Sequence, residues 1–215
     1  MATLPPQALG GALLLVEAVG TLAFAVSGLI EAARRGMDAV GICVVTGLAA
    51  FGGGTLRDVL LDRRPFFWVE HAYWLWLLLA LCMASMALLR RRHFVLTERA
   101  MQWPDALGLG LFAANGTQIA LQADMPAIVA VLMGVMTAAF GGVLRDIVCN
   151  QVPAAFSDHR PYAVCAFAGA WVVVGTHALA WPAVLTVAAG ALVASTLRLL
   201  ALWRDWRLPA WHVEG

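Results

Sequence analysis

Apolar stretches close to 20 residues long recur along this chain, separated by short segments carrying arginine, aspartate, glycine and proline. A helix needs about 20 apolar residues to cross the hydrocarbon core of a bilayer. The pattern predicts seven membrane-spanning helices, at roughly 8–32, 38–61, 70–89, 103–122, 126–148, 161–179 and 182–203.

The polar positions inside this pattern repeat. Shifting the sequence by 88 residues, without a gap, lays Gly53-Gly54-Thr55-Leu56-Arg57-Asp58-Val59 on Gly141-Gly142-Val143-Leu144-Arg145-Asp146-Ile147. The same shift lays Glu17 on Asp105, Gly20 on Gly108, Phe24 on Phe112, Ser27 on Asn115, Gly28 on Gly116 and Pro65 on Pro153. The halves are therefore copies of one unit. Each copy holds three spans, an odd number, so the second must enter the membrane inverted. Inverted repeats are typical of channels and secondary transporters, with the working site near the midplane where the repeats meet. The expected fold is an all-α membrane protein, a single domain over 1–215. It divides into a first three-helix repeat at about 8–97, a second, inverted one at about 98–181, and a seventh helix at about 182–203.

Two spans, the second and the fifth, carry unusual glycine runs. Gly52, Gly53 and Gly54 stand in a row, and Gly141 and Gly142 are their counterparts. Each glycine weakens a helix by roughly 1 kcal/mol relative to alanine. Both helices are expected to be broken there, exposing carbonyls and amides to a protein-lined cavity. Glycines also allow helices to approach closely, which is the competing explanation.

After each glycine run come an arginine and an aspartate: Arg57-Asp58 and Arg145-Asp146. A charge at a helix centre costs about 2.5–3.5 kcal/mol on insertion scales, so these four should face the protein interior, paired or wetted. Adjacent residues on a helix point in different directions, so Arg57 is not expected to pair with Asp58. Glu17 and Asp105 are symmetry-matched candidates, with the aspartate of the opposite repeat as the other choice. Trp103-Pro104-Asp105 also reads as an ordinary helix start. Ser27, Asn115, Thr117 and Gln118 add polar groups near mid-span, where amides need partners or a wet cavity. A broken helix would offer carbonyls to a cation and amides to a carboxylate. That leaves a passive cation pathway and a carrier for a small zwitterion both open.

Composition narrows the rest. The chain is 62% hydrophobic and 13% charged, too little charge to cover a soluble domain of this size. Its 14 basic residues are all arginines. Nine of them, including Arg34, Arg35, Arg90, Arg91, Arg92, Arg99, Arg160, Arg204 and Arg207, fall on one side of the alternating spans; only Arg63 and Arg64 fall on the other. By the positive-inside rule the N-terminus lies outside and the C-terminus in the cytoplasm. No removable signal peptide is read in Met1–Gly10. Cys43, Cys82, Cys149 and Cys165 lie in apolar stretches, and the five histidines do not cluster, so no metal or cofactor is expected. There is no basic stripe for nucleic acid and no catalytic motif, so the chain does not read as an enzyme.

The segments Gly52-Gly53-Gly54-Thr55-Leu56-Arg57-Asp58 and Gly141-Gly142-Val143-Leu144-Arg145-Asp146 resemble the prokaryotic members of the trimeric intracellular cation (TRIC) channel family. The likeness runs over both repeats. It implies a homotrimer in the bacterial inner (plasma) membrane, in contact with membrane lipids, with a pathway for potassium or other monovalent cations inside each subunit. The broken second and fifth helices would frame that pathway. The bacterial domain also carries the name of glycine transporter, which keeps a secondary transporter of a small zwitterion such as glycine as the alternative. The lysine-glutamate-valine motif of the animal members is absent, so regulation through that lysine does not carry over.

Overall fold

The helices of this chain end alike, and their ends show how the repeat is built. The computed structural model describes residues 6–89 and 97–209. Arg90, Arg91, Arg92, His93 and His212 lie outside the described residues, as do Met1 to Pro5. The described elements are α1 (Pro6–Arg34), α2 (Ala39–Leu60), α3 (Phe67–Glu70), α4 (Tyr73–Leu89), α5 (Glu98–Gln122), α6 (Ala127–Val148), α7 (Ala154–Ser157), α8 (Ala163–Ala178) and α9 (Ala183–Trp203). Gly36, Asp62, Asp124, Asn150, Ala180 and Asp205 each have positive φ just past a long helix. The next amide then reaches back to close the helix, as in Arg63 N–H to the Asp58 carbonyl (2.8 Å) and Gln151 N–H to that of Asp146 (2.9 Å). Gly36 pairs with Asp124, and Asp62 with Asn150, at the same 88-residue offset, so the duplication extends into the turns.

Four helices, α1, α2, α6 and α9, are long and apolar enough to span a membrane, and α4 and α8 are shorter apolar helices. With α5 they make seven. α5 is the exception in composition because it is the central helix. It packs against α1, α6, α8 and α9, so its polar side chains meet protein and not lipid. It also begins earlier than its hydropathy suggests. Thr97 accepts from Ala100 N–H to cap it, and Trp103-Pro104-Asp105 lies inside the helix instead of starting it.

The two repeats meet antiparallel about a pseudo-twofold axis. Phe24 lies against Gly108 and Phe112 against Gly20, and the two rings stack with centroids 5.5 Å apart. The crossing of α2 with α6 follows the same rule: Gly53 faces the Thr137 carbonyl, and Gly141 faces the Ala49 carbonyl. Inversion of one repeat relative to the other is thus visible in the contacts themselves.

The expected helix breaks are not there. α2 is helical without interruption from Ala39 to Leu60 and α6 from Ala127 to Val148, through Gly52-Gly53-Gly54 and Gly141-Gly142. The glycines instead let two backbones touch. A Cβ on Gly53 or Gly141 would collide with a main-chain carbonyl of the opposite helix, which cannot swing aside. Close packing of this kind is how membrane helices gain contact when lipid supplies no hydrophobic drive. It also outweighs the propensity cost of glycine, so the helices stay whole.

Symmetry fails at the periphery. α8 packs on α5, α6 and α9, whereas α4 packs on α2 and α3. α9 covers one flank of α5, and the matching flank of α1 presents Leu15, Val19, Leu22 and Val26 to the surroundings.

Candidate ion pathway

Arg57 and Arg145 are the largest fully enclosed side chains among the described residues, each 1% exposed. A guanidinium so placed needs counter-charge on every side it can offer. Arg57 Nη2 lies 2.7 Å from Glu17 Oε1, and its Nε donates to Asp58 Oδ1 at 2.9 Å. In the second repeat Arg145 Nη1 lies 2.6 Å from Asp105 Oδ1, and its Nε donates to Asp146 Oδ1 at 2.8 Å. Each arginine therefore bridges two carboxylates, one from the facing helix and one from its own.

The Arg57–Asp58 and Arg145–Asp146 contacts correct the expectation that adjacent residues would not pair. That rule concerns the direction of Cβ and treats the side chain as short. Arginine is long enough to fold back onto its neighbour. The aspartate is held for it by a second bond, since Asp58 Oδ2 accepts from Phe67 N–H (3.3 Å) and Asp146 Oδ2 from Ala154 N–H (2.9 Å). Those amides open the short helices α3 and α7, so each aspartate pins the loop that follows its spanning helix.

Two cavities flank these clusters. The first, of about 320 Å³, lies beside the loop after α2 and is lined by Glu17, Thr21, Asp58, Arg63, Glu70 and Asn115 among others. The second, of about 390 Å³, lies beside the loop after α6, and Glu31, Asp105, Arg145, Asp146, Tyr162 and Arg198 are on its walls. α2 and α6 run antiparallel, so the cavities enter from opposite faces. Between them lie the Phe24–Phe112 stack and the side chain of Ser27. Ser27 Oγ accepts from Arg145 Nη1 and donates to Asp105 Oδ1 (3.3 Å), tying the first repeat into the ion cluster of the second. Its counterpart Asn115 makes no such tie. Neither its amide nitrogen nor its oxygen has a hydrogen-bond partner, and Gln118 Oε1 and Thr21 Oγ1 are likewise unpartnered.

The structure thus brings Glu17, Arg57 and Asp58 together on one side, and Ser27, Asp105, Arg145 and Asp146 on the other. Asn115 reaches the first cavity, while Gln118 is buried in the α5 core without lining either. Gly52, Gly53, Gly54, Gly141 and Gly142 belong to helix contacts, Gly52 against Leu144, Gly54 against the Phe67 ring and Gly142 against the Tyr162 hydroxyl.

Comparison with solved structures decides the family. The fold matches, with a TM-score of 0.83, a protein described as the TRIC trimeric intracellular cation channel orthologue from Rhodobacter sphaeroides; the two are 33% identical over 90% of this chain and 98% of that one. The chain belongs to the trimeric intracellular cation channel family. A second TRIC structure, described under the structural basis for conductance through TRIC cation channels, is 31% identical over 94% of this chain and 98% of that one, again with a TM-score of 0.83. These structural relatives are channels and not enzymes. The family model described as "Glycine transporter" matches twice, over residues 14–91 and 102–178, two stretches that begin 88 residues apart. Among curated relatives, the UPF0126 inner membrane protein YadS of Escherichia coli (strain K12) is 30% identical over 93% of this chain and 96% of its own length. A UPF0126 membrane protein of Vibrio cholerae is 35% identical over 73% of this chain and 65% of its own length.

Sequence reasoning missed several residues of this TRIC chain's second cavity. Arg198 of α9 is 2% exposed, donates to the carbonyls of Arg160 and Pro161, and lies over the Tyr162 ring at 4.8 Å. An arginine within the last apolar span was the available signal. Glu31, 2% exposed and held by Arg34 and Arg35, is a second such residue.

Proposed function

We propose that this TRIC-family protein is a monovalent cation channel, with potassium as its main ion and a pathway inside each subunit. The pathway would join the two cavities through the contact of α1, α2, α5 and α6. The observation that carries this reading is the charge of the walls. Carboxylates Glu17, Asp58 and Glu70 face Arg63 in the first cavity, with Arg57 behind the wall; five carboxylates face Arg34, Arg145 and Arg198 in the second. Both entrances are therefore net negative. At low dielectric a net negative wall attracts a cation and repels an anion. Arg57 and Arg145 do not oppose this, because each is held between two carboxylates.

The same pairing argues against the carrier reading, in which Arg57 or Arg145 would bind the carboxylate of glycine. We further propose that the protein works as a homotrimer in the bacterial inner membrane, its N-terminus outside. The description of a solved relative as trimeric and the apolar faces of α1 and α4 support assembly, and the arginine bias supports the orientation. Potassium flux and labelled glycine uptake, measured side by side in liposomes holding the purified protein, test the function. Potassium flux without glycine uptake is the expected result; saturable glycine uptake with no potassium current would replace the channel by a carrier.

A further inference from the structure

The two cavities differ where the repeat makes them equivalent, and the difference points to a ligand. At the inner end of the first cavity stand Thr21 of α1 and Asn115 of α5. Both are nine-tenths buried or more, at 3% and 1% exposed, and Thr21 Oγ1, Asn115 Oδ1 and Asn115 Nδ2 have no hydrogen-bond partner. An unpaired buried polar atom is costly and rare, so it calls for a bound species. Some buried threonines in this protein satisfy themselves, whereas Thr46 and Thr186 have unpartnered hydroxyls as Thr21 does. Thr117 and Thr137 donate to the carbonyl four residues back, at 2.8 Å and 2.6 Å. Thr21 does not. Glu17, one helical turn away on the same face of α1, lines the same cavity and uses only Oε1 for Arg57.

The symmetry-related positions cannot do this, and neither is on the walls of the second cavity. Leu109 stands where Thr21 does, and Ser27, where Asn115 does, is already engaged by Arg145 and Asp105. Tyr162 has an unpartnered hydroxyl there, but among the described residues no second buried, unpartnered side-chain oxygen stands on that cavity's walls to join it.

We propose that the inner end of the first cavity is a binding site for one partly dehydrated monovalent cation, held by Thr21 Oγ1, Asn115 Oδ1 and the free oxygen of Glu17, and that the second cavity has no equivalent. This rests on the channel reading but is separable from it. A neutral hydroxyl, a neutral amide oxygen and a single carboxylate already shared with arginine suit a monovalent ion. Divalent ions gather more carboxylates than this, or keep their water. Permeation would then be asymmetric, with the ion resting on the side of the loop after α2.

The probe is thallium(I), crystallised with the full-length protein and located by anomalous scattering. One peak per subunit is expected in the first cavity, in contact with Thr21 and Asn115 and weakened by added potassium. None is expected at the matching depth of the second cavity. Thr21→Val and Asn115→Ser should lose the peak, and each should raise the potassium concentration that half-saturates current by about fivefold, the effect of one lost ligand. Peaks of equal strength in both cavities, or none in the wild type, would overturn the proposal whether or not the variants fold. Binding in the first cavity by a protein that passes no potassium would leave this site standing and remove the channel reading instead.

Discussion

Adding a single methyl group at Gly53 tests whether its helix is meant to bend or to touch. The Cβ of Gly53→Ala would collide with the backbone carbonyl of Thr137, well inside the 3.4 Å at which ordinary contact begins. The Cβ is fixed by its own backbone and the carbonyl is backbone, so α2 and α6 must separate along their shared seam by about 1 Å, and a gap of that size forfeits a quarter to a half of each contact's attraction. Overpacking of this kind costs about 1–3 kcal/mol. Alanine returns about 1 kcal/mol in helix propensity, leaving a net loss of up to about 2 kcal/mol. Gly47, on the same helix, has nothing within 4 Å of its added Cβ, so Gly47→Ala should keep the whole propensity gain. Gly142→Ala should fall between, because its nearest neighbour is the tip of Tyr162 at 3.2 Å. Thermal unfolding of the purified protein in mild detergent, followed by tryptophan fluorescence, should rank them Gly47→Ala, Gly142→Ala, Gly53→Ala from most to least stable. The ends of the series should differ by roughly 5–10 °C. Gly141→Ala should behave like Gly53→Ala, since it meets the Ala49 carbonyl. The packing argument fails if Gly53→Ala is as stable as Gly47→Ala and loses only potassium flux; the glycines would then serve a helix break formed during conduction.

Breaking the Arg145 cluster should show strong coupling. Asp105→Asn and Arg145→Gln should each destabilise the protein by about 3–5 kcal/mol, with the double variant less affected than the sum, as read from a double-mutant cycle of unfolding. Glu17→Gln should lower the preference for potassium over chloride in reversal-potential measurements, because it removes a wall carboxylate. Reporter fusions after Gly215 and within the 62–64 loop should give opposite signals, and mass measurement in mild detergent should give three subunits; matching signals or an active monomer would refute orientation or assembly. At the end of α9, hydrogen bonds from Arg207 and then Arg160 hold the Asp205 carboxyl below its ordinary 3.8. A lowered carboxylate stabilises above its unfolded pKa and lets go as pH falls through the folded one. The Arg160–Asp205–Arg207 clasp should therefore persist at pH 5 and release only below pH 3.8, seen in the carboxyl carbon resonance of Asp205.

The duplication made much of this legible beforehand. A gap-free offset places Glu17 with Arg57 and Asp105 with Arg145 as candidates, because symmetry-related residues meet symmetry-related partners. What it could not convey is three-dimensional reach. Arg57 folds back to Asp58 because a later loop amide, Phe67 N–H, fixes the carboxylate, and no local spacing announces that. Glycine runs report that a Cβ is unwelcome without saying whether the reason is a bend or a neighbour. The neighbour, the carbonyl of Thr137, is 84 positions away in the chain. The departures from symmetry were also visible as letters, Thr21 against Leu109 and Ser27 against Asn115. Their meaning appeared only when one serine was found bonded and one asparagine not.

The stacked rings of Phe24 and Phe112 carry an implication for how such a protein can come to exist. Each phenylalanine rests on the glycine that precedes the other by one helical turn, so each half presents the surface it also receives. That is the geometry of an isologous dimer, in which residue i meets j while j meets i. Two separate three-helix chains, inserted in opposite senses, could form it without any linker. Fusing them removes the need for one sequence to suit both orientations. Loop arginines can then favour one side, and positions off the axis can diverge, while the residues on the axis stay bound to match their own image.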